Sequence, residues 1–128
     1  MDSVLRDRLI SAAREAMQNA YSPYSGYKVG AAVLGRSGAV YSGCNVENAS
    51  YGATICAERN AICHGVACGE SEFTAVAVVS SGDMPYPCGI CLQVMCELAP
   101  NAHVLLTDSR GNTELTSVKE LIPKGFRL

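Results

Sequence analysis

Charge is scarce in this chain. Only 17% of the residues are Asp, Glu, Lys or Arg, against roughly 25% in an average globular domain. What charge there is nearly cancels, with a formal net of −2 and a pI of about 5.6. That balance argues against a nucleic-acid backbone or an anionic membrane as the main partner. No stripe of Lys and Arg interleaved with aromatics is present either, so nothing in the sequence would hold a polynucleotide strand. Long apolar runs are also missing. The opening MDSVLRDRLISAAREAM is interrupted by charges every few residues, so it reads as neither a signal peptide nor a membrane span. There are two histidines, no internal repeats, no low-complexity tracts and no linker-like runs. One compact domain over residues 1–128 is therefore expected, in the cytoplasm.

What the chain does contain is apolar surface and sulfur. Hydrophobic residues make up 48% of the 128 and mean hydropathy is +0.13, enough to build a core in a chain of this size. A small domain with so little charge to cover itself is expected to bury part of its surface against another subunit. Seven cysteines is an odd number, so a fully paired disulfide framework within one chain is excluded. In a reducing compartment clustered cysteines point to metal or redox chemistry instead.

Residues 3–20 place Leu5, Leu9, Ala12, Ala13, Ala16, Met17 and Ala20 at helical spacing behind an Asp2 or Ser3 cap. After the breaker Tyr21-Ser-Pro-Tyr-Ser-Gly26, stretches 27–34 and 39–44 read as a hairpin around Gly35-Arg-Ser-Gly38. Residues 55–68 read as a second helix, and 73–80 as a strand buried on both faces. Residues 88–98 read as a third helix stopped by Pro100, 103–107 as a strand, 108–112 as a turn, and 117–121 as a short last helix. A further strand fits between that turn and the last helix. Strands separated by helices favour parallel pairing with helices on both faces, whereas the opening hairpin is antiparallel. The expected fold is an α/β protein, a three-layer α/β/α sandwich on a mixed five-stranded sheet.

Two segments carry chemistry, Cys56-Ala57-Glu58-Arg59 and Pro87-Cys88-Gly89-Ile90-Cys91. Three thiolates suit zinc, and three protein ligands with one open position is the pattern of a catalytic site rather than a structural one. Cys88 and Cys91, three apart, share one side of a helix start. Cys56 and Glu58 are two apart, ~200° around a helix, so both reach one metal only if it lies off the helix N-terminus, near the axis. Unpaired N–H groups and the positive dipole end favour thiolates there, and Pro87 helps fix where the other helix begins. Three thiolates on Zn²⁺ leave a net negative site. Arg59 is the nearest cation to offset it, unless it is simply a solvated charge on the helix face. Cys63 shares a helix face with Cys56 but would sit ~10 Å along the axis, too far to be a ligand. Cys44, Cys63, Cys68 and Cys96 are expected to be small buried packing residues, and His64 and His103 structural. A Cys-x-x-Cys pair taken alone fits a redox couple equally well.

The combination Cys-Ala-Glu with Pro-Cys-x-x-Cys is the signature of zinc deaminases, and the chain resembles cytidine deaminases of the short, homotetrameric type. The likeness runs nearly end to end: Tyr21-Ser-Pro-Tyr-Ser25, Val29-Gly-Ala-Ala32, Gly43-Cys-Asn-Val-Glu-Asn-Ala49, Cys56-Ala-Glu-Arg59, Pro87-Cys-Gly-Ile-Cys91, Gln93 and Pro123-Lys-Gly-Phe126. The resemblance implies that Cys56, Cys88 and Cys91 bind one zinc per subunit, with Arg59 and Gln93 supporting the site. Glu58 would shuttle protons while water attacks carbon 4 of cytosine and ammonia leaves. It implies further that Asn45 and Glu47 hold the ribose hydroxyls, that the backbone at Ala57 meets the pyrimidine edge, and that Tyr27 stands where the family often has a base-stacking Phe. Ala49 and Tyr51 from one neighbour and Phe126 from another would complete each pocket. The chain departs from the family pattern at Leu92, where members commonly carry Arg after the second Cys of the pair. The implied function is conversion of cytidine, and of deoxycytidine, to the uracil nucleoside in pyrimidine salvage.

Four other readings make different demands. A deaminase of a related nucleoside is one alternative, although relatives acting on bases, tRNA or nucleoside antibiotics would not be expected to keep the whole Asn45–Glu47 loop. A non-catalytic zinc-stabilised binding module requires a fourth protein ligand and leaves Glu58 without a purpose. A thiol redox protein requires Cys88 and Cys91 free to oxidise. A polynucleotide deaminase requires the basic, aromatic groove that the sequence lacks.

Overall fold

The computed structural model describes residues 1–128. Helix α1 (Ser3–Met17) starts at the Asp2 cap, whose carboxylate accepts from the Val4 and Leu5 amides at 2.7 and 3.4 Å. It is followed by β1 (Val29–Gly35), β2 (Val40–Cys44), a 3₁₀ turn at Tyr51–Ala53, α2 (Ala57–Ala67), β3 (Phe73–Ser80), α3 (Gly89–Leu98), β4 (His103–Thr107), β5 (Thr113–Ser117) and α4 (Val118–Leu121). Several element ends depart from the sequence reading. Helix α1 stops at Met17, and Tyr21 instead bridges to Val46 in parallel. Strand β1 begins at Val29, because the amides of Tyr27 and Lys28 are taken by the Ser25 and Ser81 hydroxyls rather than by a neighbouring strand. Both middle helices start one or two residues late, with Cys56 and Cys88 left as their extended caps.

The five strands form one mixed sheet in the order β2-β1-β3-β4-β5. β1 runs antiparallel to both β2 and β3, β3 parallel to β4, and β4 antiparallel to β5. Strands β2, β3 and β4, each separated from the next by a helix, therefore point the same way, as the crossover rule demands. Alternation along the strands sorts the core onto two faces. Val29, Ala31, Val33, Val76, Val78, Val104 and Leu106 face α2, α3 and α4. Ala32, Ala75, Ala77, Val79 and Leu105 face Leu9 and Ala13 of α1. The result is helix, sheet, helix: the three-layer sandwich.

Two glycines let the layers close. A Cβ at Gly30 would lie 1.9 Å from the Ala13 carbonyl oxygen, and one at Gly43 would lie 2.5 Å from the Ala61 amide nitrogen. Helices α1 and α2 thus rest backbone-to-backbone on β1 and β2. The second contact fixes the α2 axis, and so fixes where its N-terminus meets that of α3.

Candidate active site

Cys56 caps α2, Cys88 caps α3, and Cys91 lies in the first turn of α3. Their sulfurs all lie within 4.8 Å of one another, with Cys56 and Cys88 3.7 Å apart. The Cys88 sulfur accepts from the Cys91 amide at 3.5 Å. It therefore caps its helix with the same atom it presents to the cluster. The two helix N-termini converge on this point as the spacing predicts, and the positive dipole ends favour anionic sulfur there. Cys91 is buried, Cys56 half-buried and Cys88 exposed, so the cluster opens on one side only.

Arg59 is not a solvated charge. Its Nη2 donates to the Thr54 carbonyl at 3.3 Å and reaches the Cys56 sulfur at 3.6 Å, and its buried Nε has no partner. The Cys56 thiol is lowered to about 5, chiefly by hydrogen bonding from Cys91 and then by Arg59 and Cys88, against the opposing effect of burial. Cys91 is pushed upward by its bond to that thiolate and by burial. One sulfur ionises readily and its buried neighbour keeps its proton. Such a donor set suits a divalent ion that displaces the protons. Three soft sulfurs on two rigid helix starts fit zinc with a fourth position left open.

Glu58, in the first turn of α2, is only 5% exposed. Burial pushes its carboxyl up to about 7, and the nearby Cys56 thiolate pushes the same way. A cavity of about 180 Å³ is bounded by Cys56, Ala57, Glu58 and Cys88 on one side and by Tyr27, Asn45, Thr54, Pro85 and Tyr86 on the others. The metal cluster and the buried acid therefore face the same space. Asn45 is held in that wall by its own amide, which accepts from the Val29 amide at 2.9 Å and donates to the Tyr27 carbonyl at 2.8 Å. A second cavity, of about 330 Å³, adjoins at Thr54, which lines both, and contains Tyr24, Ser25, Glu47, Asn48 and Tyr51. There the Glu47 carboxylate accepts from the Tyr24 and Ser25 amides and from the Ser25 hydroxyl.

Chain matches fit this geometry. The family described as "Cytidine and deoxycytidylate deaminase zinc-binding region" matches residues 4–107. The chain belongs to that family. A cytidine deaminase of Halalkalibacterium halodurans is 45% identical over 94% of this chain and 93% of its own. One from Sporosarcina psychrophila is 43% identical over 94% and 90%. Among solved structures, cytidine deaminase from Burkholderia pseudomallei superposes with a TM-score of 0.89 at 46% identity, covering 94% of this chain and 98% of that one. The zinc expected of the family is thus matched by a donor cluster built from this chain's own residues.

Other site residues fall elsewhere in this deaminase fold. Gln93 does not touch the thiols; its amide pairs with the backbone of Phe126, donating to the carbonyl at 2.8 Å and accepting from the amide at 3.1 Å. Phe126 itself is 67% exposed and Tyr51 77% exposed, and Ala49 is exposed. Leu92, at the position where the family commonly has Arg, is partly buried against the core. The remaining cysteines correct the sequence reading. Only Cys96 is buried, Cys44 is half-buried, and Cys63 and Cys68 are exposed. Helix α2 buries Ala57, Glu58, Ala61, Ile62 and Gly65, so position 63 points outward, and Cys68 is the exposed C-cap of the helix. His64 bonds the Ser42 carbonyl at 3.1 Å, a structural contact. Sequence reasoning missed Thr54, Pro85, Tyr86, and the Tyr24–Ser25 cradle of Glu47. Pro85 and Tyr86 directly precede the Pro87-Cys88 helix start, and that adjacency was the signal available.

Proposed function

We propose that this chain deaminates cytidine hydrolytically, giving uridine and ammonia. The observation that carries the reading is the shared wall: Cys56 and Cys88 of the three-sulfur cluster and the buried Glu58 line one cavity together with Asn45 and Tyr27. Cys56, Cys88 and Cys91 would hold zinc, which when bound supplies the Lewis acidity that makes water a nucleophile at neutral pH. Every proton movement falls to Glu58. Held near neutrality by burial, it has both forms within reach at physiological pH, as a group that must take and return protons requires. It takes one proton from the attacking water and passes it to the ring nitrogen, then takes the second from the hydroxyl formed on carbon 4 and supplies it to the departing amine. Carbon 4 gains an oxygen and loses ammonia. Arg59 offsets the thiolate charge, the Ala57 backbone meets the pyrimidine edge, and the Tyr27 ring stacks on the base.

Asn45 and Glu47 bind the ribose hydroxyls. Glu47 offers only acceptor positions, while Asn45 retains one N–H beyond the one given to Tyr27. An acceptor beside a donor suits a vicinal diol. Deoxycytidine is accepted as well, and the reaction serves pyrimidine salvage in the cytoplasm; seven free cysteines and the absence of any helix long and apolar enough to cross a membrane support that setting. Residues 1–128 act as one catalytic domain within a homotetramer. Ala49, Tyr51 and Phe126 reach neighbouring pockets, and Gln93 fixes Phe126 in place. The exposed Tyr51 and Phe126 rings and the 17% charge content support this assembly.

The test is the ultraviolet change as cytidine becomes uridine. Turnover that is abolished by a zinc chelator and restored by added zinc is expected. No turnover by zinc-loaded protein would overturn the reading.

A further inference from the structure

The Ser25 hydroxyl joins the two cavities. It donates to Glu47 Oε2 at 2.5 Å and accepts from the Tyr27 amide at 3.0 Å. The Ser25 and Tyr24 amides add bonds of 3.2 and 2.9 Å to Glu47 Oε1. Glu47 lines one cavity and Tyr27 the other, so a single side-chain oxygen links the carboxylate to the backbone of the residue that carries the aromatic ring. Tyr27 is held at both of its backbone polar groups, its amide by Ser25 and its carbonyl by Asn45. Residues 22–27, with a turn at 23–25, have no sheet pairing of their own, so these bonds and the Gly26 amide to Ser22 carbonyl bond set the shape of the segment rather than a ladder.

We infer that Ser25 is a positioning residue for nucleoside recognition: it aims the Glu47 carboxylate at the sugar hydroxyls and fixes that carboxylate's distance from the base-stacking Tyr27. The inference rests on the reading of Glu47 as the sugar-binding group. A carboxylate with several free rotamers loses entropy each time it engages a ligand. One held by three donors has already lost it, and its remaining lone pairs point one way. Removing the hydroxyl takes away a charge-assisted bond, the stronger kind, without touching the sulfur cluster or Glu58. The effect therefore falls on substrate binding and not on the chemical step.

The test compares zinc-loaded wild type, Ser25→Ala and Ser25→Thr on cytidine and on 2′,3′-dideoxycytidine. On cytidine, Ser25→Ala is expected to raise KM about tenfold, with kcat within about twofold, in line with loss of one bond to a charged group. Ser25→Thr, which restores the hydroxyl at an exposed position, brings KM back to within about threefold of wild type. On the dideoxynucleoside, which has no 2′ or 3′ hydroxyl for Glu47, Ser25→Ala and wild type differ by less than about twofold in KM. Equal KM penalties on both nucleosides, an unchanged KM on cytidine, or failure of threonine to rescue would each overturn the inference. Wild type that leaves cytidine untouched would instead refute the underlying function, so the two failures are separable.

Discussion

Cys56 and Cys88 each hold two positions at once, as the extended cap of a helix and as a sulfur of the cluster. That economy made the centre legible in the sequence. The spacing of Cys56 and Glu58 forced a shared target off a helix end, and the structure puts one at the cap and the other, buried, in the first turn. Replacing Cys88 with Ser leaves an oxygen able to cap α3, so the fold is expected to persist while metal is lost. Metal analysis of purified Cys88→Ser should give well under half the zinc per chain of wild type. Full occupancy would remove Cys88 from the ligand set. What the sequence could not show at this scale is orientation. Ser25, Thr54 and Tyr86 owe their places to segments that meet only in the folded chain. The expectation that the four spare cysteines are buried held for Cys96, and in part for Cys44, but failed for Cys63 and Cys68, because hydrophobicity alone does not say which way a helix faces or what covers its end.

At the level of elements, periodicity revealed the helices and the apolar strands, and the cap and turn residues gave their ends to within a few positions. Strand β5 was harder to read, since Thr113-Glu-Leu-Thr-Ser117 presents no continuous apolar face. The insertion of β1 between β2 and β3 was not readable, because a neighbour in the sheet need not be a neighbour in sequence. Close packing of helix on sheet makes Gly30 intolerant of change. Gly30→Ala drives a Cβ into the α1 backbone and is expected to cost about 1–3 kcal/mol, as overpacking does. Thermal denaturation would show it, and an unchanged Tm would contradict the packing described.

Glu70 makes a second element-level test. Its carboxylate accepts from the Ser37 hydroxyl and from the Tyr41 hydroxyl at 3.0 Å, tying the segment after α2 to the β1–β2 turn and to β2. The Ser37 bond is the chief reason that its pKa is lowered. A carboxyl with a lower pKa folded than unfolded adds stability above its unfolded value of about 4.3, and that contribution fades as pH falls through the folded value. Wild type should therefore lose more Tm than Glu70→Gln between pH 6 and pH 3. Parallel curves would contradict the contact.

For the molecule as a whole, the scarcity of charge is a statement about surface. A 13.5 kDa chain that leaves Tyr21, Tyr24, Tyr51, Tyr86, Ile90 and Phe126 exposed is expected to associate, and light scattering should give four times the chain mass. A monomer active at nanomolar concentration would rule out the shared pocket. Composition points only to a partner of some kind; the proposed tetramer, and the neighbours' proposed part in each pocket, rest on the resemblance and not on composition. The central claim, that Glu58 moves the protons in a pocket whose metal it does not ligate, has one direct test: zinc content and cytidine turnover of Glu58→Gln measured on the same sample. Expected are wild-type zinc content and a kcat reduced by at least ~10²-fold, the scale of general acid–base catalysis. Near-normal turnover with zinc bound would contradict it.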